Sequence, residues 1–301
     1  AGWGDPEIVT YPRSALKPVQ AVALVETGAA AAYGLNAEHI ALSCASHRAE
    51  PFQTALVSQW LATLGLDQSA LACGPDRPVD VAAADAAVLA GQPKQRIFHN
   101  CSGKHCGFLT VARHRGWSLD YADPQHPAQQ LYLDALSEFT CSDARGFEFG
   151  IDGCTLPAPA MSLATFAKML ARFSTGKAST PGRAHAVNTI MDAMRAHPGH
   201  LAGADQPAAH LARATRGRLL MKTGAEGFIS VFVPGQGLAI ALKIADGEPR
   251  GRVPALIAAL TAAGMLDADE QKALAGLAMP AVTDSTGTVV GRIAACGFTG
   301  R

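Results

Sequence analysis

The sequence predicts a mixed α/β (α+β) fold, with a central antiparallel sheet and helices on both sides of it. Three observations carry this expectation. Residues 218–223, 227–233 and 237–245 are short segments rich in Val, Ile, Phe and Leu. They are separated by Gly224-Ala-Glu-Gly227 and Pro234-Gly-Gln-Gly237, the pattern of successive strands joined by tight turns. Helical patterns lie both before and after this meander, so segments distant in the chain must cover the faces of the sheet. Finally, 301 residues with 49% hydrophobic content bury enough apolar surface to offset the entropy of ordering. No linker, repeat or low-complexity tail divides the chain, and a single domain over 1–301 is expected.

The elements follow in order. Residues 15–32 are rich in Ala, Leu and Val and read as a helix, with Pro18 in the first turn, where a missing amide costs nothing. Asn36 starts a second helix leading into Ile40-Ala-Leu42. Residues 51–64 place Phe52, Leu56, Trp60 and Leu64 at a four-residue repeat, the mark of an amphipathic helix. Asp123-Pro-Gln-His-Pro127 and Leu156-Pro-Ala-Pro159 each precede a further helical pattern. Residues 253–265 form a helix after the meander.

Composition excludes several classes. Twenty-five basic residues balance 25 acidic ones, which argues against a nucleic-acid binder needing a basic excess. The alanine-rich stretches 21–32 and 79–90 are too short and too weakly apolar to span a bilayer. Seven cysteines, an odd number over a long chain, suit a reducing compartment better than a disulfide framework. Ala1-Gly-Trp-Gly-Asp-Pro6 lacks the basic region and apolar core of a secretory signal. A cytoplasmic location is expected.

Three motifs carry chemistry. Ser14-Ala-Leu-Lys17 puts a hydroxyl and an amine on one helical face, where the amine would take the hydroxyl proton if burial or a neighbouring cation lowered its pKa. A lone pair of this kind is ordinarily a helix cap beside a solvated lysine; Ser174 and Lys177 form another, in what reads as an exposed loop. Met221-Lys-Thr-Gly224 ends a strand. Serine acyl-transfer enzymes of the penicillin-recognising type combine a helical Ser-x-x-Lys with a strand bearing Lys-Thr-Gly, in this chain order. His99-Asn-Cys-Ser-Gly-Lys-His-Cys106 and Ile151-Asp-Gly-Cys154 supply cysteines that would bind zinc if they met, although buried cysteines commonly act as small apolar groups. His105 is the conventional additional ligand; Lys104 would have to coordinate as a neutral amine.

Taken together, Tyr11-Pro-Arg-Ser-Ala-Leu-Lys-Pro18, Cys44-Ala-Ser-His47 with Glu50, Asn100-Cys-Ser-Gly-Lys-His105, Ile151-Asp-Gly-Cys-Thr155 and Lys222-Thr-Gly-Ala-Glu-Gly227 resemble the inducible, class 3 L-asparaginases of the Rhizobium etli type. The resemblance runs from about Tyr11 almost to the end of the chain. It implies a fold related to serine β-lactamases and glutaminases, a homodimer, and hydrolysis of L-asparagine to L-aspartate and ammonia. It implies two Ser-Lys tandems, Ser14 with Lys17 and Ser46 with Lys222, with Ser14 the expected nucleophile and Ser46 the alternative. It also implies a zinc site of Cys101, Lys104 and Cys154 that supports substrate binding, beside Asp152. Arg13, Asp152 and His105 are the expected substrate-binding residues. Other substrates of such a scaffold, glutamine or a β-lactam, and a non-catalytic zinc-binding relative are the alternatives. The family's amino-terminal hairpin is expected to be shortened or absent, since only residues 1–10 precede the first motif. Trp60, Trp117, Phe166, Met191 and Met194 are expected to be packing residues.

Overall fold

A computed structural model describes residues 2–298. The sheet is built as the alternation requires. Leu220–Thr223, Phe228–Val233 and Leu238–Lys243 form an antiparallel meander in chain order, with Leu220 opposite Phe232 and Ser230 opposite Ala241. Because side chains alternate across a strand, its two faces enter different cores. Leu220, Phe228 and Phe232 face the larger cluster and Met221, Ile229, Val231 and Val233 the smaller one.

A helix closes each face. The Leu163–Ser174 helix sets Phe166 edge-on to Phe228 at 4.9 Å and Phe173 edge-on to Phe232 at 6.0 Å, geometries that suit the aromatic quadrupole. Opposite, the Arg252–Ala262 helix buries Leu256, Ile257 and Leu260 against the second face. This is the mixed fold with antiparallel strands that the sequence predicts, with further two-stranded antiparallel sheets at the periphery. Ahead of Ser14 the described residues hold one strand, Val9–Thr10, which pairs with Met161–Ser162 instead of folding on itself as a hairpin. No helix among the described residues is long and apolar enough to cross a membrane.

The expected helix over 15–32 is broken. A 3-10 turn at Arg13–Leu16 runs into helical segments Lys17–Gln20, Val22–Glu26 and Ala29–Ala32. The last break lies at Gly28, whose φ of 80° takes the left-handed region that glycine reaches without a Cβ penalty. Asn36 caps the Ala37–Ser43 helix, accepting from the amides of Glu38 and His39, and the amphipathic Pro51–Thr63 helix follows with Leu56, Trp60 and Leu64 buried and Phe52 exposed. Trp60, Phe166, Met191 and Met194 are buried packing residues. Ser174 departs from the expected exposed loop: it is buried at the end of its helix and donates to the Ala171 carbonyl.

The contact that positions the site is between helices. The Ser102–Arg115 helix crosses Ala37–Ser43 with Gly103 against Leu42. A Cβ at Gly103 would fall on the Leu42 carbonyl oxygen and 2.8 Å from its Cγ. Backbone cannot give way as a flexible side chain would. Gly103→Ala is therefore expected to destabilise the protein by about 1–3 kcal/mol, read as a lower urea midpoint at unchanged m-value. An unchanged midpoint would remove the close approach from the account.

Candidate active site

Three segments converge at one end of the sheet. Residues 44–50 run in irregular conformation between the Ala37–Ser43 and Pro51–Thr63 helices, so their backbone groups need partners outside a regular ladder. They find them. The Ser46 amide donates to the Leu201 carbonyl (2.8 Å) and the His47 amide to the Asn100 carbonyl (3.1 Å). Lys17, fully buried on the first helical segment, donates to the Ala45 carbonyl.

Two amines reach one hydroxyl. Lys17 Nζ lies 3.1 Å from Ser46 Oγ and Lys222 Nζ 3.0 Å from the same oxygen. Lys222 arrives from the sheet edge, on the face it shares with Ser230, and also donates to the Thr223 carbonyl (2.8 Å). Both lysines are buried, whereas Ser46 is half-buried. Burial first, and the charge of Lys17 second, hold the Lys222 amine well below the usual lysine range. The shift favours the neutral form of Lys222, while one N–H of Lys17 is committed to a carbonyl.

Ser46 and Ser14 border one cleft of about 250 Å³, together with Asn100, Thr223, Arg48 and Arg252. Of the two expected pairs, Ser46 with Lys222 meets. Ser14 makes no hydrogen bond to Lys17 among the described residues; Lys17 turns to Ser46 instead. The 3-10 turn carries Ser14 on the cleft side, and Lys17 points into the core at the start of the next segment.

Arg13 adopts the left-handed region (φ 49°) and is engaged by two carboxylates. Its Nε and Nη2 donate to Asp152 Oδ1 at 3.0 and 2.7 Å, and its Nη1 to Glu226 at 2.7 Å. Asp152 also accepts from the Gly153 amide. Neither Arg13 nor Asp152 borders the cleft described above, and His105 does not reach it. The His105 ring is fully buried, 2.7 Å from the Tyr121 hydroxyl through Nδ1, and Nε2 has no partner among the described residues. It points inward because it follows Lys104 on a helix buried on most sides.

Cys101, Lys104 and Cys154 meet beside this centre. Lys104 Nζ lies 2.9 Å from Cys154 Sγ, and all three residues are almost wholly buried. A hydrogen bond from Cys154, helped by nearby Lys17 and Lys104, pulls the Cys101 thiol well below its ordinary value against the effect of burial. Cys154 is pushed up by that same bond and by burial. Lys104 is pushed up by Cys101 and Cys154 against its own desolvation. Two thiols and an amine suit a zinc ion in donor type. The described residues contain no group of three His, Cys, Asp or Glu side chains arranged for a metal, so a metal here needs Lys104 as a neutral third donor.

Sequence reasoning gave His47 no role, yet it ties the Ser46 loop to the cysteine-bearing helix. The Ala49 amide donates to its Nδ1 (3.1 Å), which leaves the ring proton on Nε2 to donate to Ser102 Oγ (2.7 Å); Ser102 in turn donates to the Ile97 carbonyl (3.1 Å). Arg48 and Arg252 in the cleft wall were also missed. Arg48 lies two residues after Ser46, a spacing that could have marked it; nothing in the sequence marks Arg252.

A family model described as L-asparaginase II matches residues 1–295. No curated protein matches the chain.

Burial, and then Lys17, push the His47 imidazole down to about 3. An unfolded histidine takes up a proton near pH 6.5. Between these values the unfolded state therefore binds the extra proton, and stability falls as the pH drops. The slope contributed is up to about 1.4 kcal/mol per pH unit. His47→Gln is expected to flatten the pH dependence of the urea midpoint across this window. An unchanged slope would show that the neutral ring is not the group responsible.

Proposed function

We propose that this chain, which belongs to the L-asparaginase II family, hydrolyses the side-chain amide of L-asparagine to L-aspartate and ammonia, with Ser46 as the nucleophile. The observation that carries the reading is the convergence of Lys17 and Lys222 on Ser46 Oγ in a cleft of amino-acid size.

Each step uses groups already in place. Neutral Lys222 takes the Ser46 proton as Oγ bonds to the amide carbon, and Lys17 holds Oγ by donating to it. The carbonyl π electrons move to oxygen. Collapse of the adduct expels the nitrogen, which takes the proton back from Lys222 and leaves as ammonia. The remaining ester on Ser46 is attacked by water, whose proton passes to Lys222 and then to Ser46 as the ester bond breaks.

The developing oxyanion needs donors. The Ser46 amide is already committed to Leu201. Thr223 sits opposite Ile229, one place from the Gly224 amide that bonds Phe228. In an antiparallel pair bonded and non-bonded positions alternate, so the Thr223 amide turns away from its partner strand, on the edge that borders the cleft. It is the donor we assign. Ser14, on the same cleft wall, is a substrate contact in this reading.

A zinc ion bound by Cys101, Lys104 and Cys154, its charge balanced by the two thiolates, would support substrate binding beside the cleft as a Lewis acid. The arrangement of a buried Ser-x-x-Lys turn, a Lys-Thr-Gly strand end and a helix on each sheet face also supports the wider kinship with serine β-lactamases and glutaminases.

Ammonia release from asparagine, with glutamine and nitrocefin alongside, tests the substrate. Release from asparagine at the highest kcat/KM is expected, and preference for either of the others would replace this reading. Ser46→Ala should lower kcat by at least about 10³-fold, with a smaller loss for Ser14→Ala; the reverse ranking would transfer the nucleophile to Ser14. Activity should rise with pH as Lys222 loses its proton, with a midpoint well below the usual lysine value. Lys17→Met removes a charge that holds Lys222 down, so it should move this limb to higher pH besides lowering kcat. A limb that stays in place would take Lys222 out of the base role.

A further inference from the structure

The cleft wall carries two guanidinium groups without carboxylate partners. Arg48 and Arg252 both border the cleft that contains Ser46, and neither forms an ion pair among the described residues. No acidic side chain borders that cleft. Arg48 Nη2 donates to the Val79 carbonyl at 2.8 Å, and its buried Nε has no partner. Glu50, two residues on, flanks Gly203 together with Arg48 but forms no ion pair with it; its Oε2 accepts from the Ala204 amide at 3.3 Å. Arg252 spends Nη1 on a long bond of 3.3 Å to the Gly224 carbonyl. Burial alone lowers its pKa, with no carboxylate acting in the other direction.

Keeping cations partly buried and unpaired is costly, because their hydration is lost without compensation. The cost is recovered when an anion enters, and guanidinium forks suit carboxylate geometry. Arg13, the sequence-based candidate for this role, already holds Asp152 and Glu226. Its charge is met within the protein. The Arg48 and Arg252 charges are not.

We infer that Arg48 and Arg252 form the subsite for the α-carboxylate of the substrate, and so restrict this cleft to amides of free amino acids. The inference rests on the amidase reading above and adds the residues that select for a free α-carboxylate. With the carboxylate held by the arginines, a short side chain presents its amide to Ser46 within the same cleft. An amide within a peptide, whose α-carboxylate is already bonded, has nothing to offer the two guanidiniums and leaves them buried and unpaired. That penalty is the source of selectivity.

Two measurements test this. L-Asparaginamide keeps the side-chain amide and replaces the α-carboxylate with a neutral group. The wild-type protein should prefer asparagine by at least about 100-fold in kcat/KM. Arg252→Gln and Arg48→Gln should each erode that preference by at least about tenfold, chiefly through KM for asparagine. A preference that survives both substitutions overturns the subsite. Calorimetric titration with L-aspartate needs no turnover, and there each substitution should weaken binding by at least about tenfold. If wild-type protein releases no ammonia, the amidase reading falls while this titration still decides the subsite. Equal aspartate affinity in wild type and both variants overturns the subsite even where turnover is intact. Loss of an unpaired buried charge should leave the unfolding midpoint unchanged or raise it, which separates lost binding from lost folding.

Discussion

Two lysine amines within hydrogen-bond reach of one serine oxygen, both out of contact with solvent, constrain everything around them. Two ammonium groups in such proximity repel, and each has surrendered its hydration. The conflict is eased at Lys222, whose pKa is driven down by burial and by Lys17 with no carboxylate among its neighbours to stabilise the charged form. In the proposed reaction this position is what would let a lysine, ordinarily protonated, serve as a base. The shift is a consequence of packing, since any rearrangement that let water or a carboxylate reach Lys222 would move its pKa back up.

Holding that arrangement explains the density of contacts around a segment with no regular secondary structure. Ser46 is clamped at its own amide by Leu201, on one side by the Lys17 bond to Ala45, and on the other by His47 bonding to Asn100 and Ser102. The same His47 bond links the serine loop to the helix that carries Cys101 and Lys104. The sheet contributes Lys222 from a strand buried between two helix layers, a rigid support for a side chain that must hold its position within a fraction of an ångström. Fold and site are therefore coupled at Gly103, where the cysteine-bearing helix and the helix leading to Ser46 meet at backbone distance.

The chain discloses some of this and hides the rest for physical reasons. The meander was readable because strand alternation and glycine turns are local signals, and strands over 220–243 lie within the stretches they marked. The helix expected over 15–32 is not continuous: alanine and leucine favour helix throughout, but Gly28 takes a left-handed φ that ends one segment and starts the next. Ser14, Lys17, Ser46 and Lys222 could be named from their motifs, but sequence spacing links Lys17 to Ser14 whereas the fold turns it to Ser46, 29 residues further along the chain. His105, the conventional metal ligand of its motif, is fully buried on its helix and faces Tyr121, an orientation that sequence spacing does not give.

Arg13 shows why charge in a motif is a poor guide to what that charge binds. It occupies a strained left-handed backbone position and spends its guanidinium on Asp152 and Glu226, joining three segments distant in sequence. Such an arginine organises the site's surroundings; displacing two carboxylates to greet a third would gain little net electrostatic energy. Arg48 and Arg252 carry the opposite balance, with desolvation already incurred and no counter-charge supplied. An unoffset cost within a folded protein is retained where something entering the cleft relieves it, and the entrant proposed here, a small molecule with a carboxylate at one end and an amide at the other, would relieve two guanidiniums while facing Ser46.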